Sequence, residues 1–483
     1  MHNIRDAPTN RTVTGRVKQL THDHTRWELA DDFQPLLAAV LAAPSRVVKE
    51  SAAKLVTEHR VGERSFFIKR YRHAAFPFRP LKFVFKPSQA REEWRLAQAL
   101  ADRGIPTVHH VALGERWSAT GLQESILITE AFAGVPANEV PDLNGKAITA
   151  FINRMAMAGV VQHDLHAANL LVCQHPFEIR LVDLHGIHLV ESASRIEREI
   201  DRDRMLAVLR ASVPMEVSKS VEAISHDLRQ RALDERSKRC LRSNREFSTR
   251  RFGAWQWQVR TAPVTPGMEK LLANPDEFIE RGRALKRGRS STVAAGNGLV
   301  LKRYNFKKPF NLLKDFFRGS RGRRGFRKAY HLELCGIATP RVIATADHRI
   351  LDLPMRSYVL MEEIPDAVDA GQWRGEQHPG ARAVGRLIAQ LHNEGFTHRD
   401  LKETNILFDP SGRPFLIDLD GLEFVSNVSA DDAAMNLRRL AVGVAEAGKL
   451  TRANTIAFLL TYSRLRNVSP RKMFPRGNGS GNR

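Results

Sequence analysis

The 483-residue chain is short of cysteine: Cys173, Cys240 and Cys335 are scattered, and no two form a C-x-x-C pair. Isolated thiols speak against a disulfide framework and a cysteine metal site, and they fit a reducing compartment. Long apolar runs are missing too. The longest, LLAAVLAA at 36–43, falls far short of the ~18 residues a membrane span needs and reads as part of a helix. The N-terminal MHNIRDAPTNRT is polar and lacks the apolar centre of a signal peptide. The expected compartment is therefore the cytoplasm. No H-E-x-x-H, G-x-S-x-G or Walker sequence occurs, which removes three common catalytic readings. His22 and His24 in THDHT read as surface residues, not ligands. Acid is scarce beside base: 53 Asp and Glu stand against 75 Lys and Arg, a net charge of +22.

What is present is a globular composition, 42% hydrophobic and 27% charged. At roughly 150 residues per domain, about three domains or two larger ones are expected. The positive charge is concentrated. Residues 281–330 hold 16 Lys and Arg and one acid, Asp315. Such a block attracts phosphates, nucleic acid or an anionic membrane face. Nucleic acid is the least favoured of these, because no recognised nucleic-acid motif accompanies the charge.

The chain matches itself at a displacement of 232–236 residues. FFIKRY (66–71) meets LVLKRY (299–304), PFRPLKFVFKPS (77–88) meets PFNLLKDFFRGS (309–320), and RGIPT (103–107) meets CGIAT (335–339). Farther on, LITEAF (127–132) meets VLMEEI (359–364), and Asp164, Asn169 and Asp183 meet Asp400, Asn405 and Asp418. Two copies of one domain are the simplest explanation. Each copy opens with alternating, β-branched runs around a turn, which predict a hairpin. A helix is expected over 88–102 and over 322–334. A second helix follows, with Ile148, Phe151, Ile152 and Met155, or Val384, Leu387, Ile388 and Leu391, at i, i+3, i+4, i+7. The segment 190–283 reads as a connection containing an aromatic strand-like run, RFGAWQWQVR, whose Trp255 and Trp257 packing explains.

Each second helix leads into an aspartate loop: QHDLHAANLL (162–171) then RLVDLHG, and HRDLKETNIL (398–407) then FLIDLDG. Phosphoryl transfer asks a protein to hold phosphates, neutralise their charge with Mg²⁺ and aim a hydroxyl in line. Asp164 and Asp400 suit the base that takes the hydroxyl proton. Asn169 and Asn405, five residues on, can help hold a metal. Asp183 and Asp418, at the mouths of apolar strands, can bridge Mg²⁺ to the phosphates. Lys69 and Lys302 can steady the α and β phosphates.

This ordered set resembles the protein-kinase-like fold, and the whole pattern resembles the lipopolysaccharide kinase family, in a tandem arrangement. HRDLKETNILF…FLIDLDG is the specific part; the stretches 321–341 and RCLRSNREF (239–247) add to it. The resemblance covers most of residues 45–465. It implies an α+β fold of two kinase-like domains, 45–235 and 236–468, each with a small β-rich N-lobe and a helical C-lobe. Residues 1–44 would form an N-terminal extension and 469–483 a disordered basic tail. It implies ATP and Mg²⁺ as cofactors and Kdo or heptose of the lipopolysaccharide inner core, free or lipid-linked, as acceptor. It adds Lys402 to the catalytic loop and Glu93, Ser290, Ser291, Glu130 and Glu362 to the nucleotide site.

Departures from the kinase pattern are as informative. No G-x-G-x-x-G loop is present; ESAAKLV and GRSSTVAAG stand in its place. The helix glutamate expected to pair with the lysine is Glu93, with Glu92 as the neighbouring option. The second copy has Gly325 there, which leaves Lys302 without an obvious partner. Gln162-His163 replaces the usual His-Arg, and His166 replaces Lys402. No activation segment ending in A-P-E follows either metal aspartate, which favours a sugar, lipid or small alcohol over a protein substrate. FPFRPLKFVFK (76–86) and the stretch 305–328 interleave aromatic and basic residues, an expected peripheral contact with anionic membrane. The rivals are a regulatory Ser/Thr kinase and a tandem pseudokinase scaffold.

Overall fold

The computed structural model describes residues 18–50, 53–73, 83, 85–140, 142–213, 215–244, 246–253, 255–261, 265–305, 319–350 and 353–468. Most of the two basic, aromatic stretches at 76–86 and 305–328, and the tail 469–483, lie outside these residues. The chain divides into two compact units, Met1–Arg229 and Gln230–Arg483.

The first unit is built on a seven-stranded antiparallel sheet of order β1-β2-β6-β7-β5-β4-β3. Its strands are β1 (Lys18–His22), β2 (Thr25–Leu29), β3 (Ser45–Glu50), β4 (Lys54–Val61), β5 (Arg64–Arg72), β6 (His110–Ser118) and β7 (Gly121–Glu130). Alternation along β5 assigns its two faces. Phe66 and Ile68 point into one core with Trp27, Phe33 and Val40, sealed by helix α1 (Leu37–Ala42). Lys69 and Tyr71 point to the other face, where α2 (Gln89–Asp102) lies, its Ala90 and Trp94 packed on Tyr71, Leu113 and Leu127. Residues 18–42 are thus part of the sheet and its core, not an appendage. The His22 and His24 side chains are exposed, as expected of surface residues.

Below the sheet lie α3 (Gly145–Met157), the short strands β8 (Val135–Pro136), β9 (Val160–Gln162), β10 (Leu170–Gln174), β11 (Phe177–Leu181) and β12 (Ile187–Leu189), then α4 (Arg195–Arg210) and α5 (Met215–Ser220). The predicted stripe Ile148, Phe151, Ile152 and Met155 is buried among Leu165, Leu181 and Leu206. Each such side chain contributes about 1.5–3 kcal/mol by leaving water. Helix α6 (His226–Lys238) spans the division between the units.

The second unit has the same plan. Its sheet, of order β13-β14-β18-β19-β17-β16-β15, comprises β13 (Phe247–Phe252), β14 (Trp255–Arg260), β15 (Arg283–Arg287), β16 (Ser291–Gly296), β17 (Leu299–Tyr304), β18 (Val342–Ile350) and β19 (Leu353–Glu362). Helices α7 (Pro266–Ala273) and α8 (Pro275–Arg281) cover one face through Leu272 and Ile279, and α9 (Arg321–Leu334) crosses the other. The strand-like run RFGAWQWQVR holds the end of β13 and the whole of β14, its hairpin partner, so much of the expected connection 190–283 is structural. Strands β20 (Val368–Asp369), β21 (Phe396–His398), β22 (Ile406–Phe408), β23 (Pro414–Leu416) and β24 (Leu422–Phe424) and helices α10 (Gln377–Asn393), α11 (Ala430–Glu446) and α12 (Arg452–Arg466) complete the unit. Both units therefore have the expected mixed composition, a β-rich part followed by a mainly helical part.

The entry to each crossing helix is set alike. Ser88 Oγ accepts from the Arg91 amide and donates to Glu115 at 2.8 Å; Ser320 Oγ accepts from the Arg323 amide and donates to Asp347. A serine cap of this kind is worth about 1 kcal/mol. No described helix is long and apolar enough to cross a membrane.

Candidate active site

Each unit brings its lysine strand, its aspartate loop and its strand-mouth aspartate together. The loops have one construction. Asn169 Nδ2 donates to the Asp164 carbonyl at 3.2 Å, and Asn405 Nδ2 donates to the Asp400 carbonyl at 2.7 Å. The carbonyls of the same two asparagines accept from Val182 and Ile417, which ties each loop to the strand carrying the next aspartate. Asp164 and Asp400 have exposed side chains, whereas Asn169 and Asn405 are buried. Lys402 Nζ stands 3.3 Å from Asp400. His398, wholly buried, receives the Asp400 amide on Nδ1 and donates from Nε2 to the Asp418 carbonyl at 3.1 Å. It joins the two aspartates through the backbone. Burial pushes its imidazole down, toward the neutral form this bonding needs. At the matched place Gln162 donates from Nε2 to the His185 carbonyl.

Asp183 and Asp418 share an uncommon backbone state, with φ of 58° and 55°. A non-glycine residue there is strained by about 1 kcal/mol or more, a cost usually found at functional positions. In the second unit the carboxylate so carried meets Lys302 at 2.7 Å. A metal is compatible with these donors. They are hard oxygens suited to Mg²⁺, and Asn169 Oδ1 is buried with no hydrogen-bond partner, a vacant acceptor beside Asp164 and Asp183.

The lysines are held differently. Lys69 Nζ donates to Glu93 Oε1 at 2.5 Å, which settles the choice between Glu92 and Glu93. Burial disfavours the Glu93 anion, but Lys69 and His110 more than offset it and hold the carboxyl far below the usual range. Lys54, over the Tyr71 ring at 5.0 Å, is pushed down by burial and by Lys69. Lys302 is not short of partners, contrary to the expectation from Gly325. It donates to Asp418 Oδ1 at 2.7 Å and stands 3.7 Å from Asp420 Oδ2. Burial lowers its pKa, but Tyr304, Asp420 and Asp418 together raise it above the ordinary lysine value. Lys286 adds a second cation 3.7 Å from Asp418, whose carboxyl is held down by Lys302 and Lys286 against the effect of burial.

The remaining expected nucleotide residues lie at the ends of interior strands. Ser291 is buried as the first residue of β16, and the Ser290 carbonyl accepts from Arg321 and from the Asn305 amide. Glu130 and Glu362, at the ends of β7 and β19, are engaged by Arg64 and His109 and by Arg341. Sequence reasoning missed Asp420, Tyr304, Arg321 and Lys328. The available signal was the change from VDLHG to IDLDG together with a helix that gains base where it loses acid.

The sequence profile of the Lipopolysaccharide kinase (Kdo/WaaP) family matches this chain twice, over residues 38–224 and 282–462. Over 182 residues the chain is 26% identical to the lipopolysaccharide core heptose(I) kinase WaaP of Pseudomonas aeruginosa, covering 33% of this chain and 66% of that protein. Over 71 residues it is 41% identical to a 3-deoxy-D-manno-octulosonic acid kinase of Xanthomonas oryzae pv. oryzae, covering 14% of this chain and 28% of that protein. Among solved structures, WaaP in complex with acyl carrier protein aligns at 23% identity and a TM-score of 0.31, over 43% of this chain and 87% of that one. The profile covers more than half of the sequence, and the chain belongs to the lipopolysaccharide kinase (Kdo/WaaP) family.

Proposed function

We propose that the chain is an ATP-dependent kinase that phosphorylates a sugar hydroxyl, of Kdo or heptose, in the lipopolysaccharide inner core. The observation that carries this reading is the meeting, in each unit, of a lysine (buried in the second, half-buried in the first), an exposed loop aspartate, a buried asparagine and a left-handed aspartate, in a chain of this family. Lys302 and Lys69 steady the α and β phosphates. Asp400 and Asp164 accept the proton of the sugar hydroxyl as its oxygen bonds to the γ-phosphorus, and the bond to the β-phosphate oxygen breaks to release ADP. Mg²⁺, when bound, would neutralise charge on the phosphates; Asn405 with Asp418, and Asn169 with Asp183, would hold it. Lys402, beside Asp400, places positive charge where the phosphoryl passes.

Both units are proposed to be active, each on its own acceptor position, because neither lacks a metal-ligand residue. A lipid-linked acceptor would bring the enzyme to the inner face of the cytoplasmic membrane, where the basic, aromatic stretches 76–86 and 305–328 would meet anionic lipid. The test is incubation with ATP, Mg²⁺ and dephosphorylated core lipopolysaccharide, read by mass spectrometry. The expected result is added phosphate that disappears in the Asp164→Ala, Asp400→Ala double variant. A regulatory protein kinase would instead label protein, and a pseudokinase would label nothing.

A further inference from the structure

The two units agree over most of the site and part company at the lysine. At the displacement that matches the crossing helices, Gln89, Glu93 and Leu96 of α2 stand where α9 has Arg321, Gly325 and Lys328. On the loop, His185 stands where the second unit has Asp420. At these three positions the helix loses an acid and gains two bases, while the loop gains an acid. The contacts follow this exchange. Asp420 Oδ1 accepts from the Tyr304 hydroxyl at 2.9 Å, and its Oδ2 accepts from Arg321 at 2.7 Å and lies 3.7 Å from Lys302. Lys328 donates to the carbonyls of Leu419 and Asp420 at 3.2 and 3.1 Å, which pins the loop from the helix side. Gly325 is part of the same arrangement. A Cβ at 325 would come 2.9 Å from the Tyr304 hydroxyl, so the space a glutamate would enter is occupied by the tyrosine that holds Asp420.

We propose that Asp420 is the positioning residue for Lys302, taking over from the metal-ligand loop the task that Glu93 performs from the helix in the first unit. The proposal rests on the kinase reading of the second unit. Asp418 is the nearer carboxylate, but it is also the expected metal ligand. Once it serves a metal it is no longer available to hold the lysine. Asp420 then remains to keep Lys302 aimed at the phosphates, itself fixed by Tyr304 and Arg321.

The test uses the full chain carrying Lys69→Met, which silences the first unit's lysine, and titrates Mg-ATP by calorimetry. Asp420→Asn should weaken Mg-ATP binding about tenfold, the value of one charge-assisted contact. Asp420→Glu, or Gly325→Glu with Tyr304→Phe to clear the hydroxyl from its path, added to Asp420→Asn, should recover most of the loss, because either returns a carboxylate to the lysine. A purely structural role for Asp420 predicts no recovery from a glutamate on the helix. In turnover, the loss should fall mainly on KM for ATP. Equal affinity of the parent and Asp420→Asn overturns the proposal. So does a loss that neither glutamate recovers. A folded parent that binds no Mg-ATP sinks the kinase reading of the second unit and the proposal with it, so the parent alone distinguishes the two failures.

Discussion

In the first unit Lys69 is held by a glutamate on the crossing helix, 2.5 Å away; in the second Lys302 faces Asp418 and Asp420 on the loop that ends a strand. The sheets have the same strand order, the loops the same backbone bonds, and the aspartates the same left-handed twist. What differs is which element carries the acid. The lesson is that an expected residue can be absent without its charge being absent. Gly325 looks like decay when the helix is read alone, and like accommodation when Tyr304 and Asp420 are read with it.

The sharpest way to break the comparison is through the bases. Asp164→Ala and Asp400→Ala should each cost about 10²–10⁴-fold in transfer, the usual contribution of a positioned base. Mass spectrometry of the products should show a different phosphate missing from each variant. If Asp164→Ala leaves every product intact while Asp400→Ala removes them all, the first unit is a scaffold.

Next in size is the Lys69–Glu93 pair of the first unit. Glu93→Ala leaves Lys69 charged and only partly in water, and the loss should be about 3 kcal/mol, the low end for breaking a buried pair. Calorimetric melting should place the loss in the first unit's transition. Glu93 has a depressed folded pKa, so its stabilisation is complete above its unfolded value near ~4.3 and is lost only as pH falls through the lower folded value.

Acid should therefore strike the second unit first. His392 on α10 is buried against Tyr462 and Asn436, with Asp432 and Arg466 nearby, and burial pushes its imidazole down from 6.5 to about 4. A depressed histidine binds its proton more readily when unfolded. Its stabilisation is whole above pH 6.5 and fades as pH falls toward 4, by of the order of 3 kcal/mol at most. The matched position in the first unit is Ala156. Melting scans between pH 7 and 4.5 should show the second unit's transition falling faster, and His392→Gln should flatten that dependence.

The smallest effect sharpens the reading of Gly325. Gly325→Ala gains roughly 1 kcal/mol of helix propensity and spends much of it displacing the Tyr304 hydroxyl. The net change in melting should stay within about 1 kcal/mol, against a clear gain at an open helical site.

Much of this arrangement was legible in the sequence. Lysine, aspartate, asparagine and aspartate recur in order, and the apolar stripes of α3 and α10 have helical spacing, because these signals are local. The place of residues 18–42 was not legible, since β2 pairs with β6 some 85 residues away and only the fold makes them neighbours. Asp420 was missed for a related reason. Its partners Tyr304 and Arg321 are 116 and 99 positions distant, and a charge exchanged between two elements leaves no mark on either one alone.

The left-handed backbone of Asp183 and Asp418 carries a last consequence. Glycine would relieve the strain at both positions, but Asp418→Gly also strips Lys302 of its nearest anion; Asp183→Gly carries no such loss and should fold at least as readily as the native chain in that turn while losing the carboxylate. At Asp183 selection for folding and selection for the proposed chemistry pull in opposite directions, and a screen for thermostable variants would tend to replace that carboxylate first.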